Sequence, residues 1–574
     1  MRFHEIKARM KKMTHDPDQP KIRLAFVANF TLPSIGDAMR VLCHEVGIEA
    51  EVYEVPYGMH LQETLDSASG LITFAPNIIF LAWEGSKFLE KLYSSPYLMT
   101  ADERSAYRDG QMGVFNMVLS SLKEHTKANI VVNSYRTPSY SSRGILEAKE
   151  QEGMRALIRS CNAALEGLAQ DDPRLWVLDL DAVAAEKGRF DDEKMFYHAD
   201  MCWSFDAIIW MAERYMAYVF PAVSATKKVI ALDLDNTLWG GIVGEVGREG
   251  IRLGPEKEGR PFIDMQSKLL GLHERGVLLA VCSKNNEEDV LDVFRNHPSM
   301  ILKEKHVSVM KVNWDDKAMN LRAIADDLNV GLDSMVFIDD DPANREQVRK
   351  MLPEVMVVDV PDDPVMFPTM IEDLQCFETF TLTAEDRQRS TRIHEEKIRQ
   401  VSKERFADMK EFIRDLKVIV TVREADPFTI PRIAQLTQRT NQFNLTTERY
   451  TEEDIRHCHE KGEHVIRCFE VADRFGSYGI TGTWILEKTT GRIDIFLLSC
   501  RAIGREVEAG MLEELKREAK KTGLKQLRGE YVPTKKNVVA RSFFEERGFK
   551  KEGMQWVLHD LDPMKIDVEV HRDG

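Results

Sequence analysis

Short apolar runs alternate with amphipathic stretches through the first part of the chain. Ile22–Asn29, Asn77–Ala82, Asn129–Asn133 and Leu175–Leu180 read as strands. Strands spaced by helical segments predict a parallel α/β sheet. Ala225–Lys228 then leads into the apolar run Val229–Leu232. Beyond it the pattern predicts helix Phe262–Glu274, strand Val277–Cys282, helix Glu287–Asn296, helix Lys317–Leu328 and strand Ser334–Ile338. In such βαβ sheets, ligands sit beyond the carboxyl ends of the strands. Asp233, Ser283 and Asp339 each follow a strand end.

Thr383–Met409 is dense in charge of both signs and reads as a solvated connecting helix. Its Arg387, Arg389, Arg392, Lys397 and Arg399 are interleaved with acids, which favours a solvated face over a docking patch. Lys417–His559 is strand-rich, with helices expected at Ile430–Thr440, Glu506–Thr522 and Asn537–Arg547. Gly476, Gly479 and Gly482 punctuate a hairpin-like stretch. The expected organisation is 1–223, 224–370, a helical linker 371–416, and 417–574.

A length of 574 residues supports several cores, and 43% hydrophobic with 30% charged residues is the balance of a globular protein. A formal charge of -16 argues against nonspecific nucleic-acid binding, which needs a basic surface. It leaves room for an acidic protein partner on a local basic patch. The 8 cysteines show no CxxC pair, as expected of reduced thiols in a cytoplasmic protein. Met1 to Lys21 is charged and lacks the apolar core of a secretion signal, and no apolar run is long enough to span a bilayer. A cytoplasmic location without membrane contact is expected.

The chemistry concentrates at Asp233-Leu234-Asp235-Asn236-Thr237. Asp233 and Asp235 put two carboxylates at one strand end, so that one can attack phosphorus while the other handles a proton. Such close carboxylates call for a hard cation, and Mg²⁺ also shields an incoming phosphate. Ser283 can bond a phosphoryl oxygen, Lys317 supplies a fixed positive charge, and Asp339-Asp340 adds carboxylates to the metal site. His457-Cys458-His459 lies on a predicted helix, where neighbours point to different faces and do not converge on one ion.

These residues resemble the four motifs of the haloacid-dehalogenase-type (HAD) phosphohydrolases. The resemblance makes Asp233 the nucleophile and Asp235 the general acid/base. It gives Mg²⁺ to Asp233, the backbone carbonyl of Asp235, and Asp339 or Asp340. Leu238–Pro261 and the stretch from Ser283 to Lys317 are too short for a large cap, so an open site is expected. Further phrases are similar to the FkbH family of HAD subfamily IIIC. They are Leu232 through Glu245, Val281-Cys282-Ser283-Lys284-Asn285-Asn286, Gln435 through Thr446, Ser499-Cys500-Arg501 and Pro533-Thr534-Lys535-Lys536-Asn537.

That resemblance implies loading a glyceryl unit from 1,3-bisphosphoglycerate onto an acyl carrier protein, with loss of both phosphoryl groups. A phosphorylated small molecule and a carrier protein are therefore the expected partners. Cys282 and Cys500 are the candidate acyl-accepting thiols, and direct transfer to the carrier thiol needs neither. The last region resembles a GNAT acyltransferase, an α+β fold. Arg501, Gly504 and Arg505 stand where that fold cradles a pyrophosphate at a helix start. Glu506 departs from the usual pattern and brings negative charge there. The first region resembles a degenerate SGNH-hydrolase-like domain, because Ala28-Asn29-Phe30-Thr31 lacks the Gly-Asp-Ser nucleophile. Two other readings stay open: a plain phosphomonoesterase with partner-binding flanks, and a coenzyme-A-dependent N-acyltransferase carrying an idle HAD domain.

Overall fold

The computed structural model describes residues 3–14, 19–382, 414–474, 476–534, 536–553 and 555–572. The charged segment predicted as a connecting helix, Thr383–Met409, lies outside them. The chain divides into two compact units, Met1–Ala225 with Glu378–Phe380, and Thr226–Phe377 with Thr381–Gly574.

The first unit is built on strands β1 (Lys21–Ala28), β2 (Glu49–Glu54), β3 (Ile78–Ala82), β4 (Asn129–Asn133) and β5 (Leu175–Leu178). They form one parallel sheet in the order β2-β1-β3-β4-β5. β3 is Ile-Ile-Phe-Leu-Ala and buried at every position, as a central strand covered on both faces must be. β2 reads Glu-Ala-Glu-Val-Tyr-Glu and is only partly buried. Its acids and its place at the sheet edge explain why no apolar run announces it.

In the second unit, β6 (Val229–Leu232), β7 (Leu278–Ser283), β8 (Val307–Val312), β9 (Met335–Ile338) and β10 (Met356–Val357) form another parallel sheet. Its order is β10-β9-β6-β7-β8, so the connections reverse direction on either side of β6. The carboxyl ends of β6 and β9 therefore flank the switch point, where open α/β sheets place ligands. Helix Lys317–Leu328 covers one face with Ala318, Leu321, Ile324 and Ala325, over an apolar core that includes Val229, Ala280 and Phe337. Phe367 packs edge-on against Phe262, and the Cys376 carbonyl accepts from the Lys227 amide at 2.8 Å.

The same unit contains a six-stranded mixed sheet. Its strands are β11 (Ile419–Glu424), β12 (Phe443–Asn444), β13 (His464–Asp473), β14 (Gly476–Glu487), β15 (Ile493–Leu498) and β19 (Glu569–Arg572). The order is β12-β15-β14-β13-β11-β19, antiparallel except where β11 meets β19. A smaller antiparallel sheet joins β16 (Leu527–Gly529), β17 (Lys550–Glu552) and β18 (Gln555–Leu558). The glycine-punctuated stretch is the β13–β14 hairpin, where Gly479 takes φ 65° at a register shift opposite Val471. Helices Ile430–Arg439 and Val507–Lys521 fall where the periodicity puts them. The helix expected over Asn537–Arg547 is instead a 3-10 turn, Val538–Ala540, followed by a short helix, Phe543–Glu546. The α/β multidomain class holds.

Candidate active site

Asp233 is the first residue past β6, and its amide donates to the Ile338 carbonyl of β9 at 2.9 Å. That bond extends the ladder one step and fixes the Asp233 backbone beside Asp339. Lys317 opens its helix, with the Asp316 carboxylate capping the Ala318 amide at 2.8 Å. The buried Lys317 Nζ donates to Asp233 Oδ1 at 2.6 Å and to the Cys282 carbonyl at 2.7 Å, and it pairs with Asp339 Oδ2 at 2.9 Å. Asp233, Ser283, Lys317 and Asp339, from four separate connections, therefore meet in one place. Asp340 joins them, and carboxylate oxygens of Asp233, Asp339 and Asp340 lie within 4.8 Å of one another.

The electrostatics of this cluster are lopsided. Asp233 and Asp339 are 7% and 0% exposed, against a single ammonium that is 1% exposed. Burial raises the Asp233 pKa, and the Asp339 charge adds to the rise against the opposing pull of Lys317. Asp340 is raised to about 6 by burial and then by the charges of Asp233 and Asp339. Burial works against charge on Lys317, but the two aspartates outweigh it and raise its pKa. Three carboxylates against one cation leave buried negative charge uncompensated. An oxygen-only donor set of this size fits a hard divalent ion such as Mg²⁺.

Asp235 stands apart from that cluster. Its Oδ1 accepts from the Trp239 indole at 2.9 Å and the Val243 amide at 3.1 Å, and its Oδ2 accepts from the Asn285 amide group at 2.9 Å. The side chain is aimed by three donors and is not among the clustered carboxylates. Asn285, which also donates to Ser283 Oγ at 3.3 Å, was not singled out from the sequence. Neither were Thr237, whose hydroxyl accepts from the Asp340 amide at 3.1 Å, nor Asn344, whose amide group donates to the Asp339 carboxylate at 3.3 Å. Each is a neutral residue close in sequence to a motif acid or serine, and that proximity was the available signal.

The candidate thiols do not join the site. Cys282 precedes Ser283 on β7, so it points to the opposite face of the sheet, into a core that includes Ala280, Ala318 and Leu321. Burial pushes its thiol up to about 12, which leaves almost no thiolate at neutral pH. Cys282, a candidate thiol from the sequence, therefore faces away from the aspartate cluster. Cys500 lies with its Sγ 3.9 Å from the Asn329 carbonyl, at the far end of the helix that Lys317 begins. That helix is roughly 18 Å long at 1.5 Å per residue.

Gly504 takes φ 75°, and Arg505 Nη1 donates to the Arg501 carbonyl at 2.7 Å while its guanidinium lies over the Tyr478 ring. Arg547 pairs with Glu506 at 3.0 Å and so offsets the negative charge that departs from the GNAT pattern. His457, Cys458 and His459 occupy one helix, Glu452–Lys461, as expected.

Residues 23–219 match the family described as FkbH, N-terminal domain. Those residues make up most of the first compact unit. In it, the position after β1 holds Asn29, whose side-chain carbonyl accepts from the Glu84 amide at 2.8 Å. The chain is also similar to the crystal structure of the N-terminal part of the protein BF1531 from Bacteroides fragilis, containing a phosphatase domain complexed with Mg. Identity is 28%, the TM-score is 0.60, and the match covers 66% of this chain and 100% of that one. A putative acetyltransferase of the GNAT family from Desulfovibrio desulfuricans matches with 14% identity and a TM-score of 0.20, over 24% of this chain and 98% of that one. No curated protein matches the chain. Among the described residues, no helix is long and apolar enough to cross a membrane.

Proposed function

We propose that this FkbH-type chain is a Mg²⁺-dependent phosphatase that forms a phosphoaspartate at Asp233, coupled to delivery of an acyl unit to an acyl carrier protein. The single observation that carries this reading is the buried Lys317 ammonium bridging Asp233 and Asp339 at 2.6 and 2.9 Å beside Asp340. Mg²⁺ held by Asp233, Asp339 and Asp340 would offset charge on the phosphoryl oxygens. Asp233 Oδ attacks phosphorus while the bond to the leaving oxygen breaks, and Asp235 gives that oxygen its proton. Water then attacks the phosphoaspartate, Asp235 takes the proton back, and inorganic phosphate leaves with Asp233 restored. Lys317 holds the nucleophile in place, and Ser283 bonds a phosphoryl oxygen.

The proposed substrate is 1,3-bisphosphoglycerate. Its acyl phosphate is already activated, so the carrier thiol attacks the carbonyl, a thioester forms, and phosphate departs. The 3-phosphate ester needs the Asp233 centre. Direct transfer to the carrier is favoured over a Cys282 thioester, because that thiol is buried and protonated. Exposed Trp314 and Met319, flanking Lys317, together with Ile242 and Val246, give the loops beyond β8 and β6 an apolar rim suited to a protein partner. All eight cysteines are free thiols, which suits the proposed cytoplasmic setting.

The test is mass spectrometry of a carrier protein incubated with the chain, Mg²⁺ and 1,3-bisphosphoglycerate. A glyceryl adduct without phosphate is expected with the native chain, and Asp233→Asn should leave any transferred unit phosphorylated. Phosphate release with no carrier adduct would favour the plain phosphomonoesterase. Acetyl transfer to an amine that survives Asp233→Asn would favour the coenzyme-A-dependent acyltransferase.

A further inference from the structure

Two of the sequence phrases, Gln435 through Thr446 and Pro533 through Asn537, have no part in the aspartate centre. Apart from Lys535, which is not described, the structure folds them against each other. The fully buried Asn537 ties them, its Nδ2 donating to the Asn444 and Val532 carbonyls at 2.9 Å and its Oδ1 accepting from the Thr534 amide at 2.7 Å. The Val532 amide donates to the Leu445 carbonyl at 2.8 Å, and the Leu445 amide to Phe496 of β15 at 3.2 Å.

Between these segments lies a cavity of about 160 Å³, room for about five waters at their liquid volume. Among the described residues its lining is Thr440, Asn441, Asn444 and Thr447, with Thr534 and two cations, Arg449 and Lys536. In a chain of net charge -16 that is a local reversal of sign.

The cations are only partly used. Arg449 donates from Nη1 to the Thr437 and Thr440 carbonyls, the latter at 3.2 Å, and from Nη2 to Asn441 Oδ1 at 2.5 Å. Its Nε–H and second Nη2–H have no partner among the described residues, and no described carboxylate pairs with it. Lys536 holds Asp333 at 2.8 Å through one of its three protons. The hydroxyls of Thr440 and Thr447 likewise bond no other described side chain or backbone group. Thr447 sits at φ 62°, a costly conformation for a β-branched residue, and its amide is held there by Asn444 Oδ1 at 3.0 Å. Strain of that kind persists where surrounding structure over-determines it, and it clusters at ligand clamps.

We infer that this cavity binds a phosphate monoester. Two cations, one of them also holding Asp333 through one proton, and several neutral donors match a dianion with three acceptor oxygens better than a single carboxylate. The site is separate from the aspartate centre. Asp333, which Lys536 grips, precedes β9, whereas Asp339 follows it, and four strand residues rise roughly 13 Å. The cavity therefore opens at the other end of that strand.

The test is isothermal titration calorimetry of the full chain in EDTA, with inorganic phosphate and glycerol 3-phosphate as probes. Without a metal the clustered aspartates repel both anions, so the outcome is independent of the proposed phosphatase chemistry. One saturable site per chain is expected, with acetate failing to compete. Lys536→Gln, at an exposed side chain, should weaken binding at least tenfold. Arg449→Gln should do the same, with its melting curve recorded because the guanidinium also caps helix carbonyls. No saturable binding, or wild-type affinity in Lys536→Gln, overturns the inference.

Discussion

Two five-stranded parallel sheets in this chain bury acids at equivalent places, yet the acids are treated in opposite ways. In the first unit, Glu84 follows β3 and is 1% exposed. Its Oε2 accepts from the Trp203 indole at 2.9 Å, its Oε1 faces Arg136 at 3.4 Å, and Asn29 clamps its backbone. One buried charge meets one neutral donor and one guanidinium, which also pairs with the half-exposed Asp191 at 2.6 Å. At the switch point of the second sheet, two carboxylates share one lysine and a third, Asp340, lies beside them. That network is short of positive charge. The same architecture therefore serves as a finished structural joint in one case, and in the other leaves a vacancy in charge that fits a cation.

The contrast can be broken at several points. The largest effect is expected from Asp233→Asn, which removes the proposed nucleophile while keeping its shape. Phosphate release should fall by about a thousandfold or more, with an unchanged circular dichroism spectrum; retained turnover would move the chemistry elsewhere.

Lys317→Met comes next. It strips the ammonium that pairs with Asp233 and Asp339, and breaking a buried pair costs about 3–5 kcal/mol. Urea denaturation in EDTA should show that loss, and saturating Mg²⁺ should recover part of it. A variant as stable as the native chain in EDTA would mean the aspartates are not charged together.

Glu84→Gln supplies the control in the other sheet. Leaving Arg136 without one partner should cost about 1–3 kcal/mol, equally with and without Mg²⁺. Stabilisation by Mg²⁺ that disappears in Glu84→Gln would contradict the distinction between the two joints.

The smallest expected effect is on pH dependence. In EDTA the folded-state pKa of Asp340 is raised from 3.8 to about 6, with burial the leading cause. A raised acid favours the folded state below its unfolded pKa, and that contribution is lost as pH rises through the folded value. Thermal stability in EDTA should therefore decline between about pH 4 and 6, and Asp340→Asn should flatten the decline.

Much of this was legible before any coordinates. Val229–Leu232, Asn129–Asn133, Glu287–Asn296 and Lys317–Leu328 are bounded in the structure as their patterns predict, because apolar runs and helical spacing are local signals. β2 was not legible, since its acids face outward at an edge, and β10 and β12 are two residues each. Their identity comes from pairing partners distant in sequence. At the site, acids after strands gave away Asp233 and Asp339, whereas Asn285 and Asn344 became recognisable only once folding turned their amides onto those acids. Cys282 illustrates the limit of adjacency: it is next to Ser283 in sequence, but on a strand neighbours face apart.

The most direct measurement traps the intermediate. The Asp235→Asn chain, which lacks the proposed proton carrier for hydrolysis, is mixed with Mg²⁺ and p-nitrophenyl phosphate, whose leaving group needs no proton, then quenched in acid and analysed by peptide mass spectrometry. A phosphoryl group on the peptide carrying Asp233, absent in EDTA and absent when Asp233→Asn is added, is the predicted result. Phosphate carried by any other residue, or substrate turnover with Asp233 never modified, would contradict it.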